Sequence, residues 1–340
     1  VRAGAADKKL DVYWLDTEGG GATLLVTPAG ESVLIDAGNP GKPGEDRPRD
    51  AGRIFDVASK AAGLKKIDFL VTTHNHVDHF GGAADLSAMI PIGAVYDNGE
   101  FPGGHERPSK EYLAFKADRR AVLNPADALP VKNLADPAAP KLSITCVGTR
   151  KQAMQPPAGA AAAVSTTPAD AAAPRRKAED YSDNANSIVQ VVRFGPWAMY
   201  VGGDVTWNVE EKLVRPVNLI GHVDVYQVTH HGLDVSNNPL VLQACRPTVA
   251  VIPNGPTKGA MPETVATLRA TDSIVGIYQS HKILRPKDAK DNGPDEFIAN
   301  QGGGGSDGNF IRCSVDPDGK AYVVAVPATK HEQRYETKVK

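Results

Sequence analysis

The run Thr73-His74-Asn75-His76-Val77-Asp78-His79-Phe80-Gly81-Gly82 constrains this chain more than any other feature. It gathers three of the chain's nine histidines and one aspartate within six positions. Just before it, residues 67–72 form a short apolar stretch of strand length, and just after it residues 82–90 space their apolar side chains as a helix does. A loop at a strand end can turn closely spaced side chains toward one point, and imidazole nitrogen with carboxylate oxygen matches the borderline-soft character of zinc. The spacing lets His74 and His76 share one metal while Asp78 and His79 hold a second. With so few histidines in the chain, incidental clustering in a hydrophilic loop is the poorer account.

The surrounding pattern mixes strands and helices. Residues 10–15, 23–26 and 32–35 alternate or run apolar between turn formers and predict strands, whereas residues 50–62 place Ile54, Val57, Ala58 and Ala61 on one helical face. Beyond the histidine run, 93–96 reads as a strand, 98–108 as a Gly- and Pro-rich loop beside the cluster, and 110–119 as a helix. The second half repeats the theme. Strands are expected at 188–192, 198–201, 223–228, 249–252, 274–278, 309–314 and 321–325, with helices at 207–214 and 263–270. Two successive halves of this kind predict two packed mixed β-sheets with helices outside, an α/β architecture.

A length of 340 residues with 41% hydrophobic residues supports a large core, and one α/β domain with insertions accounts for it. We expect a single domain over residues 9–328, a flexible N-terminus at 1–8 and a C-terminal tail at 329–340. Residues 155–177 are mostly Ala, Pro, Ser and Thr, which bury too little to offset ordering entropy, so they read as a low-complexity surface insertion. The formal net charge of -2 provides no general attraction for nucleic acid, and Arg175, Arg176 and Lys177 are too few for a basic stripe and read as a solvated loop. No apolar run approaches the roughly 20 residues of a membrane span. Cys146, Cys245 and Cys313 lack any C-x-x-C pairing and read as buried small hydrophobes. Residues 1–9 suit a mature N-terminus left by signal cleavage, which points to a periplasmic or secreted protein, with a cytoplasmic one as the alternative.

The cluster in this strand-to-helix context resembles the metallo-β-lactamase superfamily, over a stretch running from about Leu10 to Ala325. That resemblance implies an αββα sandwich with metals at the sheet edge. It also implies a bridging aspartate after a later strand, and Tyr200-Val201-Gly202-Gly203-Asp204 has that form, making Asp204 the expected bridge. Asp36, in Leu34-Ile35-Asp36-Ala37-Gly38, resembles the early strand-end aspartate that supports the metal loop from behind. Next comes Val228-Thr229-His230-His231-Gly232. Adjacent residues in a strand point to opposite sides, so one of His230 and His231 is expected to face the metals and the other to orient a ligand or act on substrate.

Together with Asp183-Asn184-Ala185-Asn186-Ser187, this His-His-Gly is similar to the hydrolase domain of ComEC-like DNA-uptake proteins and their relatives, including phosphorylcholine esterases. That branch implies phosphodiester chemistry. Its Gly-His-Pro is here Gly259-Ala260-Met261-Pro262, and His281 is the candidate to replace the missing histidine as a ligand of the second metal. Trp207, Asn184, Asn186 and Asn254 are cleft-lining candidates whose alternative roles are core and turn; His105 sits in the Gly- and Pro-rich loop from which the site is reachable, His222 and His331 have no partner pattern, and all three read as non-ligands.

The expected activity is therefore that of a dinuclear zinc hydrolase, with manganese or iron as alternatives, in which a metal-bound hydroxide attacks a phosphoester. Asp78 is expected to accept a proton and one of His230 and His231 to protonate the leaving group. A lactone, β-lactam or other acyl bond is the alternative substrate on the same metals, and a non-catalytic metal-stabilised binding module is the alternative to an enzyme. A small molecule or phosphodiester is the expected partner, with nucleic acid unsupported by charge.

Overall fold

The computed structural model of the chain describes residues 4–104, 106–156, 176–302 and 308–338. Its first half supplies β1 (Leu10–Trp14), β2 (Thr23–Val26), β3 (Ser32–Ile35), β4 (Ile67–Val71), β5 (Ile92–Asp97) and β6 (Ala117–Val122). The second supplies β7 (Leu142–Thr149), β8 (Gln152–Ala153), β9 (Val189–Phe194), β10 (Trp197–Val201), β11 (Val225–Gln227), β12 (Val249–Ile252), β13 (Gly276–His281) and β14 (Ile298–Asn300). The chain then returns to the first sheet with β15 (Ile311–Val315), β16 (Ala321–Val326) and β17 (His331–Glu336). One sheet has the order β17-β16-β15-β1-β2-β3-β4-β5-β6 and the other β14-β13-β12-β11-β10-β9-β7-β8.

Side-chain alternation along β1 shows how these sheets make a core. Leu10, Val12 and Trp14 point into the cluster shared with Val192, Met199, Val225 and Val251 of the second sheet, while Tyr13 on the opposite face joins Leu24, Leu34 and Leu70. That outer face is covered by α1 (Arg49–Asp56), which continues into a π-helical turn at Val57–Ala61, and after the short α2 (Val77–Phe80) by α3 (Ala83–Met89) and α4 (Lys110–Ala114). The outer face of the second sheet carries Ala198, Tyr200, Tyr226 and Ala250 under α5 (Trp207–Lys212), α6 (Pro239–Cys245) and α7 (Pro262–Arg269). Two packed mixed sheets with helices outside are thus observed, as the alternating pattern implied.

The differences lie at edges. The helix expected at 110–119 ends at Ala114, because residues 117–122 pair parallel with β5 as an edge strand. Residues 331–336, expected in a tail, pair antiparallel with β16 over all six positions, with the polar face of β17 exposed and Tyr335 buried. At the other end, residues 4–7 form a turn closed by the Lys8 N–H on Gly4 O at 2.7 Å, and residues 1–3 lie outside the described residues. Most of the expected insertion, residues 157–175, also lies outside them. Lys177, expected in a solvated loop, instead packs its ammonium 4.0 Å above the Trp207 ring, contacts Asp234 O and pairs with Glu263 at 3.2 Å. All three cysteines are free and buried, and burial pushes their thiols up, Cys146 to about 12. Among the described residues no helix is long and apolar enough to cross a membrane.

Parallel pairing decides where chemistry can gather. β3-β4-β5-β6 in one sheet and β10-β11-β12-β13-β14 in the other run parallel, and loops from their C-terminal ends meet at one edge of the sandwich.

Candidate metal centre

Four of those loops build the centre. β4 leads into the histidine run, β3 ends beside Asp36, β10 leads to Asp204, and β11 leads to His230 and His231. Asp204 lies in the middle: its Oδ2 is 3.2 Å from His79 Nε2, 3.4 Å from His230 Nε2 and 3.3 Å from His231 Nε2. Asp78 Oδ2 stands to one side, 3.6 Å from His231 Nε2 and 3.8 Å from His79 Nε2. Two groups of ligand atoms close enough to share an ion result, His74 with His79 and Asp204, and Asp78 with His79 and His231.

The rings are aimed by what their other nitrogens touch. His231 Nδ1 lies 3.3 Å from Pro253 O, which can only accept, so Nδ1 carries a proton and the ring is turned with Nε2 toward the acids. Asp36 does the same for His79, meeting Nδ1 at 2.8 Å while accepting from Thr73 N and Thr73 Oγ1, both at 2.8 Å. Because that hydroxyl hydrogen goes to Asp36, Thr73 Oγ1 accepts from His74 Nδ1 at 3.0 Å. His74 Nε2 is then a buried lone pair with no hydrogen-bond partner. An orphaned nitrogen of this kind, within reach of His79 and Asp204, is a good fit to a metal ion.

Electrostatics follow from burial and opposite charges. Burial alone would pull His79 down, but Asp204 and Asp36 outweigh it and hold the ring well above its usual value. His231 is raised for the same reason, by Asp204 and Asp78 against burial. Burial opposes charge on Asp204 and Asp78 too, yet His231 and His79 hold both carboxyls well below the carboxylate range. Burial and neighbouring histidines push His74 well down, and burial pushes His230 down to about 4. These two rings are neutral at pH 7, the state a metal-binding imidazole needs.

Other site candidates fare differently. His76 is outside both groups, with its ring centroid 4.7 Å from that of His74 and its Nε2 3.1 Å from Glu106. His281 is not brought to the centre. Its Nε2 lies 2.5 Å from Asp16 Oδ1 in a fully buried pair that joins the end of β13 to the segment after β1. The expectation that only one of His230 and His231 faces the acids is also corrected. The pair follows β11 in a turn whose φ values are 56° and 55°, so strand alternation does not apply and both Nε2 atoms reach Asp204. Asn184 approaches His230 Nε2 at 3.4 Å, whereas Asn186 holds Asp183 and Asn254 holds His281 O. His331 packs against Phe297 far along the chain, and His105 lies outside the described residues.

Three contributors escaped the sequence reading. Lys258 contacts Asp78 Oδ2, and its one visible sign is its place just before Gly259, where the His-containing motif is missing. Glu106 comes from the anticipated loop 98–108 and joins His76 to the Asp183 N–H, which it accepts at 2.5 Å. Gly21 sits so near the metal loop that a Cβ would fall 2.6 Å from His79 Nδ1, and the run Gly19-Gly20-Gly21 was its signal.

Residues 16–148 match the family model for the metallo-beta-lactamase superfamily, a segment that holds Asp36 and the whole histidine run. The fold is the metallo-β-lactamase fold. Similar solved structures include CmlA, a diiron beta-hydroxylase from Streptomyces venezuelae, at 15% identity and TM-score 0.46 over 79% of this chain and 52% of that one. This chain therefore spans about half the length of CmlA. They also include Igni18, a metallo hydrolase from the hyperthermophilic archaeon Ignicoccus hospitalis, at 15% identity and TM-score 0.40 over 79% of this chain and 94% of that one. MEM-A1, a subclass B3 metallo-beta-lactamase from a soil metagenome library, is 12% identical with TM-score 0.33 over 79% of this chain and 75% of that one. No curated protein matches the chain in sequence. The matched segment contains His74, Asp78 and His79 of the two candidate groups.

Proposed function

We propose that the chain is a hydrolase that works with two metal ions, zinc in the first instance, on a phosphoester. The observation that carries this reading is Asp204 Oδ2 within 3.4 Å of three imidazole nitrogens drawn from two loops, the position of a carboxylate shared between two ions. His74, His79 and Asp204 would hold one ion, and Asp78, His79 and His231 the other, with His76 and His230 adjacent. Bound there, zinc supplies Lewis-acid and water-activating chemistry.

The chain's own residues prepare that centre. Asp36, Thr73 and Pro253 O keep the Nε2 atoms of His79, His74 and His231 turned inward. Asp78 remains a carboxylate against His231, His79 and Lys258, so its Oδ2 can accept a hydrogen bond from a water and orient it without itself becoming protonated. Phosphoester preference is supported by the His-His-Gly turn with both rings on Asp204.

Protein purified without chelator is expected to hold two equivalents of zinc and to hydrolyse bis(p-nitrophenyl) phosphate. His74→Ala, Asp78→Ala and Asp204→Ala should each lower bound metal and turnover together. Full metal content in those variants sinks the ligand assignment, and turnover of nitrocefin or a lactone with none of phosphodiesters sinks the substrate assignment.

A further inference from the structure

Lys258 reaches the centre from a loop that is fixed far more firmly than an exposed lysine requires. Arg285 Nη1 donates to Thr257 O at 2.8 Å and Gly259 O at 2.9 Å, and its Nη2 donates to Ala260 O at 3.0 Å. One guanidinium, itself held by Asp288 at 2.5 Å, thus grips the backbone on both sides of Lys258. The Gly255 N–H closes the loop on Lys258 O at 2.9 Å, and Leu284 N–H holds Pro256 O at 2.8 Å. Next to it, Ala260 N–H donates to His231 O at 2.8 Å and Met261 N–H to Gly232 O at 2.9 Å. Gly259 has φ +79, and a Cβ there would fall 2.0 Å from His231 O, so the loop lies directly on the histidine turn.

The ammonium at the end of this support contacts Asp78 Oδ2, the oxygen that also faces His231 and His79. The Lys258 side chain is 41% exposed and an ammonium has three donors, so it is not used up by one carboxylate. An exposed lysine-carboxylate pair stabilises a fold very little. The backbone bonds around Lys258 therefore serve its position, and that position is the solvent side of the Asp78, His79 and His231 group.

We propose that Lys258 binds the anionic oxygen of the substrate, and that Arg285 is the residue that positions it. The substrate class rests on the phosphoester reading above, which places a non-bridging phosphoryl oxygen beside this ammonium. A point charge with freely rotating donors suits a tetrahedral phosphate without demanding a planar, bidentate fit.

The test compares wild type, Lys258→Met, Lys258→Arg and Arg285→Gln, all zinc-loaded, by metal content, kinetics on bis(p-nitrophenyl) phosphate and calorimetric binding of inorganic phosphate. Lys258→Met should keep its zinc, raise KM and weaken phosphate at least tenfold, while Lys258→Arg recovers much of the phosphate affinity. Arg285→Gln should shift KM and phosphate affinity in the same direction with zinc retained. Unchanged KM and phosphate affinity in Lys258→Met overturn the proposal, as does loss of zinc in that variant, which would make Lys258 a support of the centre. If wild type turns over no phosphodiester, the substrate reading falls alone, and the phosphate titration still decides for or against Lys258.

Discussion

Asp36 and His281 show how two buried residues of similar appearance divide between the metal centre and the scaffold. Asp36 accepts from His79 and twice from Thr73, so it sets the direction of two ligand rings at once. Asp36→Ala should therefore weaken metal binding by about 10–100-fold with little change in fold, measured by competition with a chromogenic chelator. Unaltered affinity would show that packing alone aims His79. His281 instead meets Asp16, which is also paired with Arg53 at 3.0 Å. Replacing it by alanine should leave bound zinc unchanged and cost about 3 kcal/mol of stability by breaking a buried pair, read in denaturant titrations. A stoichiometric loss of zinc in His281→Ala would return it to the ligand set.

At the scale of an element, the turn Thr229–Gly232 decides whether two histidines can serve one aspartate. Left-handed φ at both His230 and His231 is unfavourable for residues with a Cβ, and the turn persists because Asn237 clamps it. Asn237 Oδ1 accepts from Thr229 N at 2.9 Å, and its Nδ2 donates to Thr229 O at 2.9 Å and Leu233 O at 3.3 Å. Asn237→Ala is expected to cost about 2 kcal/mol and to loosen metal binding, because buried backbone groups of the turn lose their partners. Behind this clamp, Glu210 of α5 accepts from Asn238 N at 2.7 Å, and its other oxygen is buried with no hydrogen bond. Burial raises its carboxyl from the ordinary 4.5 to about 7. Below pH 4.5 the folded and unfolded chains both keep this proton; between pH 4.5 and 7 only the folded chain does, so stability falls as pH rises and levels off above 7. The loss amounts to about 3 kcal/mol at most. Glu210→Gln should flatten that part of the curve relative to wild type, and parallel curves for the two proteins would rule the carboxyl out as its source.

For the whole molecule, the centre exists only because two sheets stay in register across their shared core. Gln227, at the end of β11, accepts from Trp14 Nε1 of β1 and from Thr23 Oγ1 of β2, both at 2.9 Å, a buried polar bridge from one sheet to the other beneath the site. Trp14→Phe removes one donor and some packing, and should cost about 2 kcal/mol, seen as a lower Tm. Because the bridge lies under loops from both sheets, the same variant is expected to bind zinc more weakly in a chelator competition. Equal affinity would mean that the loops hold the centre without help from sheet registry.

The amino-acid sequence by itself determined the strand-to-helix setting of His74 to His79, the alternation that makes two sheets, and the acids and histidines available at later strand ends. Those are local properties, written in residue type and in periods of two and 3.6. Tertiary structure decided which of them meet. Whether His230 and His231 act on one side depends on two left-handed residues held by Asn237, and whether His281 is a ligand depends on Asp16 lying across from it. Lys258 became part of the centre only when Arg285, distant in sequence, fixed its loop against His231. Each of these turns on a contact between segments far apart in the chain, set by packing and hydrogen-bond satisfaction that no local pattern encodes.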